Sequence, residues 1–437
     1  MSAVREHLDQ GPITPLMMLV VALGFLLNLV DGIDVVAMSV TAPSLASDWN
    51  LERLALGPLF SAAIVGMALG ASLLSPLADR FGRRILLISA MVLVGLSMLA
   101  VHPLSRGGEA LTELMLLRFT AGLGIGVIFG SAPALAAEFM PDRYRSLAVS
   151  LVVMGYPVGA VLAGPIATSL LPNYGWSAVF VAGGALTLII AVLAAWLLPE
   201  SPEFIAAQPG NRSDRTKRVN QLLERLQRPP LANDLDADVP ERPAIPLNRL
   251  LNRSLRLRTV SLWSVYFLGF LTMYFLLSWI PVLFVDSGYS QAQGIQALTG
   301  FNLGAVIGIV GIGTLSTRLP LARLLSAFFL LAGLCFGVIT ALMPRDFTVL
   351  MALIFVGGIF LHGGFTALYA LAANVYPSEL RASGIGWAAG LGRTGAIVSP
   401  VLAAVLVAAG WTMYGLFLIF ALPLLIVAAW IWVFDGD

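Results

Sequence analysis

The sequence predicts an all-α polytopic membrane protein, with twelve transmembrane helices in two six-helix pseudo-symmetric halves. Three observations carry this: the composition, the spacing of apolar runs, and an echo between the halves. Of 437 residues, 58% are hydrophobic and 11% charged, against about 25% charged in a typical soluble domain. That balance excludes an ordinary soluble enzyme and equally a disordered scaffold, which needs the opposite composition. Lys+Arg number 25 and Asp+Glu 24, a net charge of +1, so nothing points to nucleic acid as a partner. One cysteine, Cys335, lies in an apolar run, which leaves no disulfide or cysteine metal site within one chain.

A helix needs about 20 mostly apolar residues to cross the hydrocarbon core. Twelve stretches qualify: 16–40, 54–78, 85–103, 112–136, 147–171, 176–198, 259–285, 294–317, 321–343, 347–372, 382–407 and 411–434. The polar break at 199–257 defines three parts: an N-terminal bundle 1–198, a cytoplasmic linker 199–257 and a C-terminal bundle 258–437. In the linker, Val219–Leu226 suits a short amphipathic helix, and Pro229, Pro230 and Pro240 limit anything longer. No room remains for a soluble catalytic domain, so the chain is not expected to be an enzyme. Basic residues set the orientation. Arg80, Arg83, Arg84, Arg143, Arg145 and the Arg-rich linker fall on one side, and Arg53, Arg106 and Arg345 on the other. Both termini and the linker are therefore expected in the cytoplasm. The first apolar run is too long for a cleavable signal peptide, and no small-residue cleavage site follows it.

The halves resemble each other. Glu138-Phe-Met-Pro141-Asp-Arg-Tyr-Arg145 echoes Asn374-Val-Tyr-Pro377-Ser-Glu-Leu-Arg381 at an offset of 236, which also pairs Gly159 with Gly395 and sets Arg393 opposite Pro157. Asp79-Arg80 and Thr317-Arg318 echo at 238. Repeated halves with a site at their interface are the physical pattern of a secondary transporter.

Ionisable groups inside spans are the most informative residues, because each costs at least about 2.5 kcal/mol unpaired at the bilayer centre. Asp31 and Asp34 share one face of the first span, a turn apart; counted from residue 16 they fall in its outer half. Two carboxylates so placed are suited to binding and releasing protons, with Asn28 one turn earlier able to orient Asp31. Arg118 in the fourth span is followed by Gly122, Gly124 and Gly126, which allow close approach of a neighbouring helix. Arg393 sits mid-way along the eleventh, inside Gly390-Leu-Gly392-Arg393-Thr-Gly395. A guanidinium there is a fork for a carboxylate substrate. Two arginines and two aspartates also sum to zero charge, so a purely structural salt-bridge network is the alternative.

The loop Ala78-Asp79-Arg80-Phe81-Gly82-Arg83-Arg84 resembles the signature loop of the major facilitator superfamily, and Arg118-Phe-Thr-Ala-Gly122-Leu-Gly124 resembles another of its motifs. In that superfamily the loop Asp lies against the start of the eleventh span, here around Arg381–Gly384, and the motif Arg is tied to proton coupling. The resemblance therefore implies a cytoplasmic gate of Asp79, Gly82, Arg83, Glu138 and Arg145. Thr317 replaces the second-half Asp, which weakens that copy. Leu29-Val30-Asp31-Gly32-Ile33-Asp34, Leu276-Leu-Ser-Trp279-Ile-Pro281 and the run from Tyr376-Pro377 to Arg393 narrow the resemblance to the aromatic acid:proton symporter family. Ile33 stands where that family usually has Phe. This implies rocker-type import of a small aromatic carboxylate (hydroxybenzoate, protocatechuate or benzoate type) with protons, driven by the proton gradient and needing no cofactor or metal. The expected setting is the inner membrane of a bacterial cell, with the chain a monomer in the lipid bilayer. Proton coupling is assigned to Asp31, Asp34 and Arg118, and substrate binding to Arg393, Arg118, Asp34, Tyr156, Asn302, His362, Phe365, Tyr369 and Trp387.

The tenth span departs from relatives. Leu361-His362-Gly-Gly-Phe365-Thr-Ala-Leu-Tyr369 is more aromatic than the amide-bearing pattern, which keeps open a drug or aromatic compound:proton antiporter of the same fold. His362 is a candidate for protonation, with packing as the alternative.

Overall fold

The computed structural model describes residues 3–104, 108–208, 211–231, 249–253 and 255–434. Arg106, Pro240 and most of the linker's proline-rich part lie outside the described residues. The described residues form helices joined by short turns and loops, without a strand. Short α1 (Ala3–Asp9) precedes the first span, α2 (Pro15–Asp48), which Thr14 caps with Pro15 in the first turn. The second span begins as α3 (Arg53–Leu69), widens into a π turn at Gly70–Leu74, tightens at Ser75–Leu77 and ends in α4 (Ala78–Phe81). Then come α5 (Arg83–Leu99), α6 (Gly108–Phe139), α7 (Asp142–Tyr174) and α8 (Ser177–Leu197). Linker helices α9 (Pro202–Ala207) and α10 (Arg212–Arg225) lead to α11 (Arg256–Asp286), α12 (Gln291–Leu315), α13 (Leu321–Leu342), α14 (Phe347–Val375), α15 (Ser378–Ala408) and α16 (Met413–Phe434).

Eleven helices among the described residues are long and apolar enough to cross a membrane. The twelfth, α5, has 17 residues and packs between α6 and α8. It starts just after Gly82, whose φ of +100° favours glycine. The first span ends at Asp48 rather than residue 40, which moves Asp31 and Asp34 from the outer half to the middle of the helix. Its polar end is satisfied within the bundle: Thr41 Oγ1 donates to Ala37 O at 2.7 Å, and Ser44 Oγ to Gln291 Oε1 at 2.6 Å.

Close glycine contacts repeat between the halves. A Cβ on Gly159 of α7 would lie 1.8 Å from Leu29 O of α2, and one on Gly395 of α15 would lie 2.3 Å from Phe267 O of α11. Gly66 likewise abuts Phe119 O, as Gly304 abuts Phe355 O; Gly70 abuts Leu123 O, as Gly308 abuts Ile359 O. In each set the first and second spans of a half shift by 238 and the fourth and fifth by 236, the two offsets seen in the sequence echoes.

At one end the halves are apposed. Arg53 grips Asp286 with both Nε and a terminal nitrogen (2.7–3.1 Å), Gln291 Nε2 donates to Val40 O at 3.1 Å, and Ser61 Oγ donates to Ile397 O at 2.7 Å. Gly57 lies against Val401 and Ala404 of α15. Gly386 and Gly390 share a face of α15 with Arg393 and Ile397, yet a Cβ on either would meet nothing within 4 Å. The interface therefore parts toward the end that carries Arg80, Arg83 and Arg84.

Candidate functional site

In the first half, Arg118 of α6 reaches the centre of α2. Its terminal nitrogens donate to Asp34 Oδ1 at 2.7 Å and Oδ2 at 2.8 Å, and one also to Asp34 O at 3.3 Å. Both side chains are fully buried, and the guanidinium lies over the Phe180 ring at 5.5 Å. A bidentate, desolvated pair of this kind is a strong charge-assisted contact. Asp31 differs sharply from Asp34: it is 0% exposed and neither of its oxygens has a hydrogen-bond partner. Tyr156 of α7 is within electrostatic reach of both aspartates and of Tyr274 across the interface. The backbone at Tyr156 lies against Gly32, so the Asp-Gly-Ile-Asp motif uses its glycine to bring α7 beside the carboxylates.

The second half lacks this pair. At the repeat offsets, Thr272 stands where Asp34 does and Ile354 where Arg118 does. Thr272 Oγ1 instead donates to Phe420 O at 2.8 Å, and Ile354 is buried in the core. What the second half offers is Arg393 beside an aromatic wall. Gly392 lets α15 approach Tyr266 and Phe270. Phe270 stacks edge-to-face on Phe365 at 4.6 Å, and Tyr266 on Tyr369 at 5.5 Å. Tyr274 and Tyr369 lie within electrostatic reach of Arg393. Arg393 has its guanidinium 5.8 Å from the Phe129 ring of the opposite half, and among the described residues it makes no ion pair. A small pocket of about 20 Å³ between the halves touches Ser39, Phe60, Ile64, Arg118, Tyr274 and Ser278. That is room for about one water, and it places Arg118 and Tyr274 on a shared space.

Three further residues assigned to substrate binding have the following surroundings. His362 packs its ring on Phe301 at 4.6 Å, with Nδ1 3.2 Å from Gly358 O; Gly126 is its counterpart at the repeat offset, so the packing reading fits its surroundings. Asn302 is 1% exposed and donates to Leu298 O of its own helix at 2.9 Å. Trp387 is 43% exposed, two turns from Arg393. Tyr266 and Phe270, not singled out for the wall from the sequence, belong to it; their signal was aromatic spacing of four along one helix face.

The gate residues separate into two groups. Asp79 is exposed and pairs with Arg83 at 3.5 Å, four residues on, rather than with the start of the eleventh span. Glu138 is buried and pairs with Arg83 at 2.6 Å, not with Arg145, which lies 3.8 Å from Asp142. Sequence reasoning missed Glu200 and Ser201. Glu200 Oε1 accepts from the backbone N–H groups of Arg83, Arg84 and Ser201 at 3.0, 3.2 and 2.9 Å. It thus caps the start of α5, where a carboxylate is favourable. Ser201 Oγ donates to Glu138 Oε2 at 2.5 Å. The run Pro199-Glu200-Ser201-Pro202 was the available sign. At Gly82 a Cβ would fall 2.3 Å from Glu200 Oε2.

Two pseudo-symmetric six-helix halves, parted at one end around buried charges, define a membrane transporter rather than an enzyme. The chain belongs to the major facilitator superfamily, whose model matches residues 24–344 and 288–437. It is 34% identical over 426 residues to the 4-hydroxybenzoate transporter PcaK of Pseudomonas aeruginosa, covering 96% of this chain and 93% of that one. It is 33% identical over 420 residues to a gallate transporter of Pseudomonas putida, covering 96% and 92%. These relatives place it among the aromatic acid transporters of the superfamily. The inward-open structure of the xylose transporter XylE from E. coli superposes with a TM-score of 0.70 at 17% identity, over 95% of each chain, a likeness of fold.

Proposed function

We propose that the protein imports a small aromatic carboxylate of the hydroxybenzoate, protocatechuate or benzoate type together with protons. In this reading it is a monomer in a bacterial inner membrane, with both termini in the cytoplasm. The observation that carries the reading is the division of charge between the halves. The first holds a closed Asp34–Arg118 pair plus an uncompensated Asp31, and the second holds Arg393 without an ion pair beside Phe270, Phe365 and Tyr369. An ionised, isolated carboxylate is costly in such a place, so Asp31 is the group that takes up a proton. A planar guanidinium over the Phe129 ring and near Tyr274 and Tyr369 suits an aromatic acid, the carboxylate on the fork and the ring on the wall. Relatives that carry 4-hydroxybenzoate and gallate in their names support that substrate class.

The parts 1–198 and 258–437 rock about the interface. With the outer end open, protonation of Asp31 and arrival of the substrate at Arg393 neutralise the centre, and a neutral centre permits closure. Contacts such as Arg53–Asp286 then form, the other end parts, and substrate and proton leave. Uptake of labelled 4-hydroxybenzoate, protocatechuate and benzoate into proteoliposomes, with and without an imposed inward proton gradient, tests this. Accumulation that an uncoupler collapses and Arg393→Ala abolishes is the expected result. Movement of an outward-directed dye with no acid accumulated would instead give the export reading.

A further inference from the structure

We propose that Asn28 and Asp31 form a single proton site in which the Asn28 side-chain oxygen accepts the hydrogen bond of the protonated Asp31 carboxyl, separate from the Asp34–Arg118 pair. This rests on the proton-coupled reading above and assigns the coupling proton to one carboxyl and one positioning residue.

Three orphan oxygens carry the argument. Asn28 Oδ1, Asp31 Oδ1 and Asp31 Oδ2 are buried without a hydrogen-bond partner, and both residues are 0% exposed. Their backbones are three residues apart on one helix, so the side chains are neighbours on the same face. Both turn toward α7: the Asn28 Cβ lies 3.1 Å from where a Cβ on Gly155 would be, and Asp31 is electrostatically coupled to Tyr156, the next residue. The Asn28 amide is not free to flip, because Nδ2 already donates to Gly24 O at 3.1 Å. That bond commits Oδ1 to face whatever else is there. An amide oxygen and a carboxylate are both acceptors and cannot satisfy each other. One proton on Asp31 supplies the missing donor: a single O–H···O bond would then partner the Asn28 oxygen and one of the two Asp31 oxygens. A metal cation in the same place would call for about six oxygens, twice the number orphaned here.

The surroundings favour Asp31 over Asp34 as the carrier. Asp34 is held by Arg118 through both oxygens. The other titratable group placed near Asp31 is Tyr156 on α7, which in turn lies within electrostatic reach of Tyr274 on α11. No titratable side chain occurs in α8 or α12, and in α3 only Arg53, which is taken up by Asp286 at the far end. Asp31 is thus the one carboxyl at the centre of α2 without a fixed counter-charge among the described residues.

Infrared difference spectra of the reconstituted full chain, in H2O and D2O across pH, read the site directly. A protonated-carboxyl C=O band is expected, shifted in D2O, absent in Asp31→Asn, and moved to higher frequency in Asn28→Leu, where the acceptor is gone. The pH of half-maximal uptake should fall in Asn28→Leu by roughly 0.4 to 1 unit, the worth of one hydrogen bond to the neutral form, and return toward wild type in Asn28→Gln. Should Asn28→Leu fail to fold, Asn28→Ala carries the same test. A band that survives in Asp31→Asn, or an unmoved band and pH profile in the Asn28 variants, would overturn the site. Sodium-dependent uptake without any carboxyl band would do the same. Absence of proton-driven uptake in the wild type would instead remove the proton-coupled reading itself, so the two failures are distinguishable.

Discussion

At the scale of residues, the central question is why one half of a repeated structure keeps a buried ion pair and the other does not. Breaking such a pair by removing one partner typically costs about 3–5 kcal/mol, because the remaining charge is left buried, whereas replacing both with apolar residues is often neutral. The second half already displays a nearly apolar solution at the equivalent positions, Thr272 and Ile354. Arg118→Ala should therefore lower the unfolding midpoint in detergent strongly, while the double change Asp34→Thr/Arg118→Ile should recover most of it and still not transport. A double variant that transports at the wild-type rate would make the pair purely structural. The sequence made Asp31, Asp34, Arg118 and Arg393 conspicuous, since charges inside apolar runs stand out. It did not say which aspartate meets Arg118. Residues one turn apart share a face, and only the rotation of α6 against α2 separates them. His362 was left between two readings for a related reason: periodicity shows that a residue is on a helix, not whether its ring meets a cavity or, as here, the neighbouring Phe301.

At the scale of elements, the glycines divide into those that carry packing and those that leave space. Gly159 and Gly395 sit against backbone oxygens of the neighbouring helix, while Gly386 and Gly390 face an opening. Gly159→Val and Gly395→Val should each abolish recovery of folded protein by size-exclusion chromatography. Gly390→Ala should leave both folding and uptake near wild type, whereas Gly390→Trp should fold and lose most uptake by filling the passage. Normal uptake in Gly390→Trp would mean that this face of α15 does not line the route. The spans themselves were legible from hydropathy, most of them to within a few residues, but the end of the first was not. Thr41 and Ser44 read as the end of a span, yet their hydroxyls bond within α2 and across to α12, and the helix runs on. The break at Gly70–Leu74 was equally hidden, because it arises where Gly70 meets Leu123 O of α6. Such ends are set by tertiary contacts, which local composition does not encode.

At the scale of the molecule, the apposed end is held by few polar contacts between the halves, as alternating access requires. The Arg53–Asp286 pair is about one-third exposed, and pairs of that kind contribute up to about 1 kcal/mol, a factor of about five in a two-state equilibrium. Asp286→Ala should accordingly speed labelling of a cysteine at Ser61 by an impermeant thiol reagent applied from that end, in a Cys335→Ser background, by no more than about fivefold. No change would show that the pair does not bias the two conformations. The central claim is the segregation of tasks, protons handled at Asp31 in one half and the acid at Arg393 in the other. The most direct measurement is internal pH in dye-loaded proteoliposomes after an inward gradient of a hydroxybenzoate is imposed with no starting pH difference, with empty liposomes subtracted for passive entry of the neutral acid. The account predicts acidification that is lost in Asp31→Asn and in Arg393→Ala. Substrate entry without acidification, or alkalinisation, would contradict it.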